Sequence, residues 1–199
     1  MGDQWKDEPV EEVLPGKGVL QFAIAEGYRI TDPFRGTEHS AGLDVFVPEL
    51  SYQFASDYWS KNHVAFRSEE DRKEYYEKLA TSSGGLGFNI TIRAHDRVII
   101  PTGLRFNIPE GTYLEVANRG SMAAKEGLVY GAHIIDSDYN GNVFINQINT
   151  TNDSVTLVCG QKFAQLIHKE YIKSLLIKIP ESNIRATARG DGALGSTGK

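Results

Sequence analysis

Gly131-Ala-His-Ile-Ile-Asp-Ser-Asp-Tyr-Asn-Gly-Asn-Val143 is a β-branched run interrupted by two carboxylates and a tyrosine, with Asn140-Gly141 near its end. Asn-Gly between apolar runs is the strongest short-range hairpin signal, because a two-residue type I′ turn needs φ > 0 at both positions. The pair is expected to turn the chain between two strands. Asp136, Ser137, Asp138 and Tyr139 then sit where a strand meets a tight turn. Taken alone, such a tip reads equally as a solvated surface hairpin, so the rest of the chain has to decide what it is for.

Working outward, short strand-like runs recur between turns: residues 19–24, 42–47, 88–93, 97–100, 104–108, 112–116, 143–148, 155–159, 163–168 and 175–179. Pro101-Thr-Gly103 and Pro109-Glu-Gly111 supply turn chemistry between three of them. Frequent short strands at regular spacing predict a mainly β fold, an antiparallel sandwich or barrel.

One segment breaks the pattern. Ser68 to Ala80 opens with a serine followed three residues later by an acid, and places Glu69/Lys73 and Glu74/Lys78 at helix-supporting spacing. A helix is predicted there. Tyr52–Asp57 reads as a polar lead-in, and Thr81-Ser-Ser-Gly-Gly85 as a flexible exit. The segment, about residues 52–87, is either a surface ornament or a lid or partner-docking element. The tail, Arg189 to Lys199, is glycine-rich without an apolar period and is expected to be mobile. Its glycines expose backbone N–H groups and Arg189, Ser196 and Thr197 add donors, which suits phosphate.

Composition narrows the function classes. The chain has 199 residues, 40% of them hydrophobic, enough for a proper core. Its formal net charge of -5 argues against a nucleic-acid scaffold, which presents a basic face. No apolar run approaches the ~20 residues of a membrane span, and the acidic, polar first residues are unlike a secretory leader, so the cytoplasm is the expected location. Cys159 is the only cysteine, and the five histidines lack metal-ligand spacing, so a protein-built zinc site is not expected.

Five segments in order resemble the five motifs of the trimeric dUTPase family. They are Ala41-Gly-Leu-Asp44, Arg119 to Gly127, Gly131 to Gly141, Gly160-Gln-Lys-Phe-Ala-Gln165, and Arg189 to Gly198. The resemblance covers roughly residues 19–50 and 88–199. It implies a distorted, jelly-roll-like β-barrel at 19–188, carrying the insertion, between an acidic extension at 1–18 and a C-terminal arm at 189–199. It also implies a homotrimer whose active sites are shared between subunits, and hydrolysis of dUTP to dUMP and pyrophosphate with Mg²⁺ held through the triphosphate and water.

Roles follow from the same resemblance. Asp136 is expected to be the base that activates water, with Asp44 and Asp138 in support. Arg119, Gly120, Ser121, Gln165, Arg189, Ser196 and Thr197 are expected at the phosphates. Gly131, Ala132, His133, Ile135 and Leu194 are expected around the base, and Tyr139 against the deoxyribose. Three positions depart from the family pattern: Gly120-Ser121 shifts a hydroxyl by one residue, Leu194 stands where an aromatic is usual, and His133 replaces a glycine. Two other readings stay open. One is a partner-binding protein of this fold with weak or altered nucleotide specificity. The other is dCTP deaminase, which needs a glutamate where this chain has Asn146.

Overall fold

The computed structural model describes residues 18–62, 68–82, 89–188 and 190. Eleven strands are seen among them. In chain order these are β1 (Gln21–Ile24), β2 (Leu43–Phe46), β3 (Ile90–Ile92), β4 (Arg97–Pro101), β5 (Leu104–Asn107) and β6 (Thr112–Ala117). They continue with β7 (Leu128–Tyr130), β8 (Ile134–Ile135), β9 (Phe144–Asn149), β10 (Val155–Leu157) and β11 (Lys162–Glu170). Three helices, α1 (Tyr52–Lys61), α2 (Glu69–Ser82) and α3 (Gly120–Ala124), interrupt them.

The strands form a four-stranded sheet ordered β2-β11-β6-β8, a three-stranded sheet ordered β4-β9-β7, and two pairs, β1-β5 and β10-β3. All pairings are antiparallel. The sheets face one core, built from alternate residues such as Ile90, Ile92, Ile100, Leu104, Leu114, Ile145, Leu157 and Leu166. Inward apolar and outward polar alternation, as in β5, is what an antiparallel sheet with one wet face requires. The architecture is mainly β and jelly-roll-like, and the barrel is not closed.

Two turns behave as their sequences predict. Gly103 and Gly111 take φ of 73° and 80°, the left-handed region that glycine enters without a Cβ penalty.

The Asn140-Gly141 turn does not. Gly141 is absent from the residues with positive φ, and the segments on either side of it do not pair with each other. β8 pairs with β6 through Leu114↔Ile135, whereas β9 pairs with β7 through Tyr130↔Gln147. The true turn lies earlier, where the Tyr139 N–H donates to the Asp136 carbonyl at 3.1 Å. The chain therefore loops between β7 and β9 and lends β8 to the neighbouring sheet. β7 itself is a strand that the sequence pattern did not single out.

The insertion also differs from its reading. Tyr52–Asp57 is not a lead-in but most of α1, whose N-cap Ser51 accepts the Phe54 N–H at 3.1 Å. Phe54, Ala55 and Trp59 fall on one face and are buried, Phe54 within the main core. Asn62 then docks the helix end on the edge strand β4, its amide donating to the Ile99 carbonyl and accepting the Ile99 N–H, both at 2.8 Å. That amide replaces one rung of a missing strand. α2 follows as expected, with Ser68 accepting from Asp71 N–H and Glu74 paired to Lys78 at 2.7 Å. Glu69 pairs with Arg72 at 3.2 Å.

Residues 175–179, read as a strand, are not in one. After Tyr171, whose N–H donates to the Gly111 carbonyl at 3.1 Å, the chain runs outside any strand to a 3-10 turn at Glu181–Asn183, and Ile172, Leu175, Leu176, Ile177 and Ile184 stand largely exposed, Leu176 at 93%.

Candidate active site

Two cavities hold part of the expected site and share none of its residues, while Gly131, Ala132, His133, Ile135 and Tyr139 line neither. The first, about 370 Å³, is lined by Asp44, Arg119, Gly120, Ser121, Lys162 and Gln165 together with Gly36, Thr37, Ser40 and Gly42. The second, about 520 Å³, is lined by Asp136, Ser137 and Asp138 with Ile108, Glu110, Tyr171 and Lys173.

The first cavity is built on the pairing of β2, β11 and β6. Gln165 lies opposite Asp44 on one side and Ala117 on the other, so the end of β6 delivers Arg119 beside them. On a regular strand Lys162 and Gln165, three positions apart, would point to opposite faces. A bulge between Lys162 and Ala164 changes that, turning both Phe163 and Ala164 inward and leaving Lys162 and Gln165 on the same outer face. Lys162 was not among the residues expected at the site. Its place within Gly160–Gln165 is the sequence signal for it, and the bulge is what turns it to the site.

Asp44 is only 8% exposed and joins two cations, accepting from Arg119 Nε at 2.9 Å and from Lys162 Nζ at 2.8 Å. Arg119 also donates from Nη1 to the Lys162 carbonyl at 3.0 Å, and the Lys162 ammonium lies 4.4 Å from the Phe34 ring centre. Gln165 donates to the Asn118 carbonyl at 2.8 Å, and its amide fills the space where a side chain on Gly42 would be. α3 begins at Gly120, directly after Arg119, so Gly120 and Ser121 lie in its first turn. Two basic groups tethered by one buried carboxylate beside a polar wall suit an anionic group of phosphate type.

In the second cavity Asp136 and Asp138 are exposed at the end of β8. Tyr139 is 41% exposed, and its hydroxyl donates to the Asn142 carbonyl at 2.6 Å. Gly141 is small because of this ring: a Cβ there would fall 2.8 Å from the tyrosine Cζ. His133 is tied back to β6, where its Nδ1 donates to the Val116 carbonyl at 2.8 Å. A carbonyl only accepts, so that nitrogen carries the proton. Gly131 and Ala132 are exposed, and Ile135 packs inward. Asn146 of β9 lies under Gly131, its Nδ2 2.4 Å from where a Cβ would stand. Arg189, Leu194, Ser196 and Thr197 lie outside the described residues.

Among the described residues no three His, Cys, Asp or Glu side chains cluster to hold a metal ion. No helix among them is long and apolar enough to cross a membrane.

Solved structures of the same architecture are dUTPases. A variant of the dUTPase of Staphylococcus bacteriophage 80alpha with dUpNHpp superposes with a TM-score of 0.62 at 19% identity, covering 92% of this chain and 99% of that one. The native dUTPase of EIAV superposes at 0.53 with 23% identity, covering 83% and 100%. Residues 86–198 match the model of the dUTPase family, and the chain belongs to that family. Among curated relatives, the deoxyuridine 5'-triphosphate nucleotidohydrolase of Yarrowia lipolytica is 36% identical over 108 residues, 54% of this chain and 69% of the relative. That of Debaryomyces hansenii is 33% identical over 129 residues, 61% and 81%.

Proposed function

We propose that the protein is a dUTP diphosphatase, hydrolysing dUTP to dUMP and pyrophosphate by attack of water on the α-phosphorus. The observation that carries this reading is the separation of an exposed carboxylate, Asp136, from a cationic cavity at Arg119, Lys162 and Gln165. A base for water and a fixed electrostatic cradle for phosphate are the two parts that phosphoryl hydrolysis needs.

In this scheme Asp136 orients the attacking water and takes its proton. Tyr139 packs on the deoxyribose and leaves no room for a 2′-hydroxyl, and the backbone of residues 131–135 faces the uracil. Arg119, Gly120, Ser121 and Gln165 bind the phosphates, with Lys162 added here. Asp44 holds Arg119 and Lys162 in place. Arg189, Ser196 and Thr197 are assigned to the phosphates and Leu194 to the base on the resemblance alone.

The carboxylates of Asp136 and Asp138 are hard oxygen groups on one open cavity wall and suit the waters of a Mg²⁺ carried by the triphosphate. When bound, the ion neutralises charge on the phosphates. The cytoplasmic deoxynucleotide pool is the proposed source of substrate. Deamination is disfavoured because Asn146 cannot shuttle protons as a glutamate does.

A homotrimer is part of the proposal. The two cavities are separate within one chain, and the apolar side chains at 172–184 stand uncovered, so a second copy would both complete the site and bury them.

The test is pyrophosphate release from dUTP, with dCTP and UTP as controls. Asp136→Asn should preserve dUTP binding and slow turnover by about 10²–10⁴-fold. Near-normal turnover in that variant removes Asp136 from the mechanism, and no release from dUTP by the native chain removes the activity.

A further inference from the structure

The inserted helix α1 and the tyrosine assigned to the sugar are joined by consecutive hydrogen bonds. Tyr139 donates to the Asn142 carbonyl, and Asn142 is itself pinned through its side chain. Its Oδ1 accepts the Gly103 N–H at 2.9 Å, and its Nδ2 donates to the Tyr28 hydroxyl at 2.9 Å and, at 3.4 Å, toward Asp57 Oδ2. The Tyr28 hydroxyl donates to the same Asp57 oxygen at 2.6 Å. Burial first, and then the Asp57 carboxylate, push the Tyr28 phenol pKa far up, so it stays a donor. Asp57 stands on α1, where Gln53 Nε2 donates to its other oxygen at 3.0 Å.

The Tyr28 ring has little freedom. It meets Phe54 of the same helix edge-on at 6.3 Å, and it lies so close to Gly103 that a Cβ there would fall 2.5 Å from the ring. Tyr139, by contrast, is nearly half exposed. Packing alone leaves such a ring loose, and its position depends on the Gly141 floor and on the one acceptor for its hydroxyl. Distinguishing a 2′-hydrogen from a 2′-hydroxyl is a matter of placing that ring correctly, and a misplacement of about 1 Å can cost on the order of a hundredfold at a reacting site.

We propose that Asp57 and Tyr28 are positioning residues for sugar selection. α1 fixes the Asn142 side chain, the Asn142 carbonyl fixes the Tyr139 hydroxyl, and the insertion thereby sets how sharply the site rejects a ribonucleotide. This rests on the reading of Tyr139 as the residue against the deoxyribose. Because the acceptor for Tyr139 is a backbone carbonyl, changes at Asp57 or Tyr28 displace it without removing it. The loss should therefore appear in selectivity and KM ahead of kcat.

The experiment uses the full chain and measures kcat and KM for dUTP and for UTP. Tyr28→Phe keeps the ring packing and removes both hydroxyl bonds. Asp57→Ala removes the acceptor, Asp57→Asn keeps an acceptor oxygen, and Tyr139→Ala is run in parallel. Tyr28→Phe and Asp57→Ala are expected to lower the dUTP/UTP ratio of kcat/KM by about three- to tenfold, the scale of one or two such hydrogen bonds, mostly through KM for dUTP. Asp57→Asn should recover most of the ratio. Should Asp57→Ala fail to fold, Tyr28→Phe carries the test. A ratio unchanged in Tyr28→Phe, with both substrates losing activity equally, marks a merely structural role and overturns the proposal. If Tyr139→Ala collapses the ratio while Tyr28→Phe and Asp57→Ala leave it intact, the relay alone is wrong. If Tyr139→Ala itself leaves it intact, the sugar reading falls and the relay with it.

Discussion

Arg119 Nε lies 2.9 Å from Asp44 Oδ1, so the guanidinium at the cationic cavity is held by a carboxylate 75 residues earlier in the chain. Lys162 occupies the other oxygen of the same group. Removing one partner from a buried pair leaves charge uncompensated, which costs about 3–5 kcal/mol when burial is complete. Here both cations are partly exposed, and solvent screens part of that loss. Asp44→Asn is expected to destabilise the fold by about 1–3 kcal/mol in urea unfolding and to raise KM for dUTP, since two like charges then face each other. Unchanged stability and KM would show that the pair does not order the cavity.

The inserted segment separates into a structural half and a dispensable half. Phe54 is fully buried in the main core, so Phe54→Ala should cost about 3–5 kcal/mol by urea unfolding. α2 touches α1 through Tyr52–Tyr76 and Trp59–Tyr75 ring contacts, and shortening it is expected to leave most of the stability intact. An undisturbed Phe54→Ala protein would mean that α1 only rests on the barrel.

Assembly can be tested by complementation. If one copy supplies Asp136 and another Arg119, then mixing Asp136→Asn and Arg119→Ala chains after denaturation should restore about a quarter of the sites. Sedimentation should give three chains per particle, and Leu176→Asp should lower that number. A monomer at micromolar concentration contradicts the shared-site reading.

His168 should make stability fall on the acid side. Burial, and then the Arg35 charge, hold its pKa below the ordinary value, and its ring donates to Thr112 Oγ1 at 2.7 Å. The folded chain thus binds a proton less readily than the unfolded one. The contribution is complete above about pH 6.5 and is lost as pH falls through the lower, folded value. Urea midpoints measured from pH 8 to pH 5 should decline, and the decline should shrink in His168→Gln. An identical profile in the variant would assign it elsewhere.

How far the sequence could be read depended on what each residue's partner was. Asp44, Arg119, Gln165 and Asp136 are named by the resemblance to the dUTPase motifs; the first three meet in one cavity because β2, β6 and β11 are neighbours, and Asp136 lines another. Asn140-Gly141 misleads because glycine in a turn signals positive φ, whereas Gly141 is small to admit the Tyr139 ring. α1 is hard to see because Phe54, Ala55, Tyr58 and Trp59, although at helical spacing, span little more than one turn, and Ser56, Asp57 and Ser60 on the opposite face make the run read as polar. Residues 175–179 carry strand-like composition, but a strand needs a neighbour and none is available within the described chain. Lys162 stayed unseen because a bulge cannot be inferred from alternation that it breaks.

That bulge in β11 acts as a phase shift. Upstream of Phe163 the strand keeps one parity and downstream the other, so Lys162 and Gln165, three positions apart, share a face. Deleting Phe163 would put Lys162 two positions from Gln165, still on the outer face, so the cavity residues would keep their sides and the core would lose the fully buried Phe163 ring. The bulge therefore lets one strand supply two consecutive core side chains, Phe163 and Ala164, without turning either cavity residue away from the site.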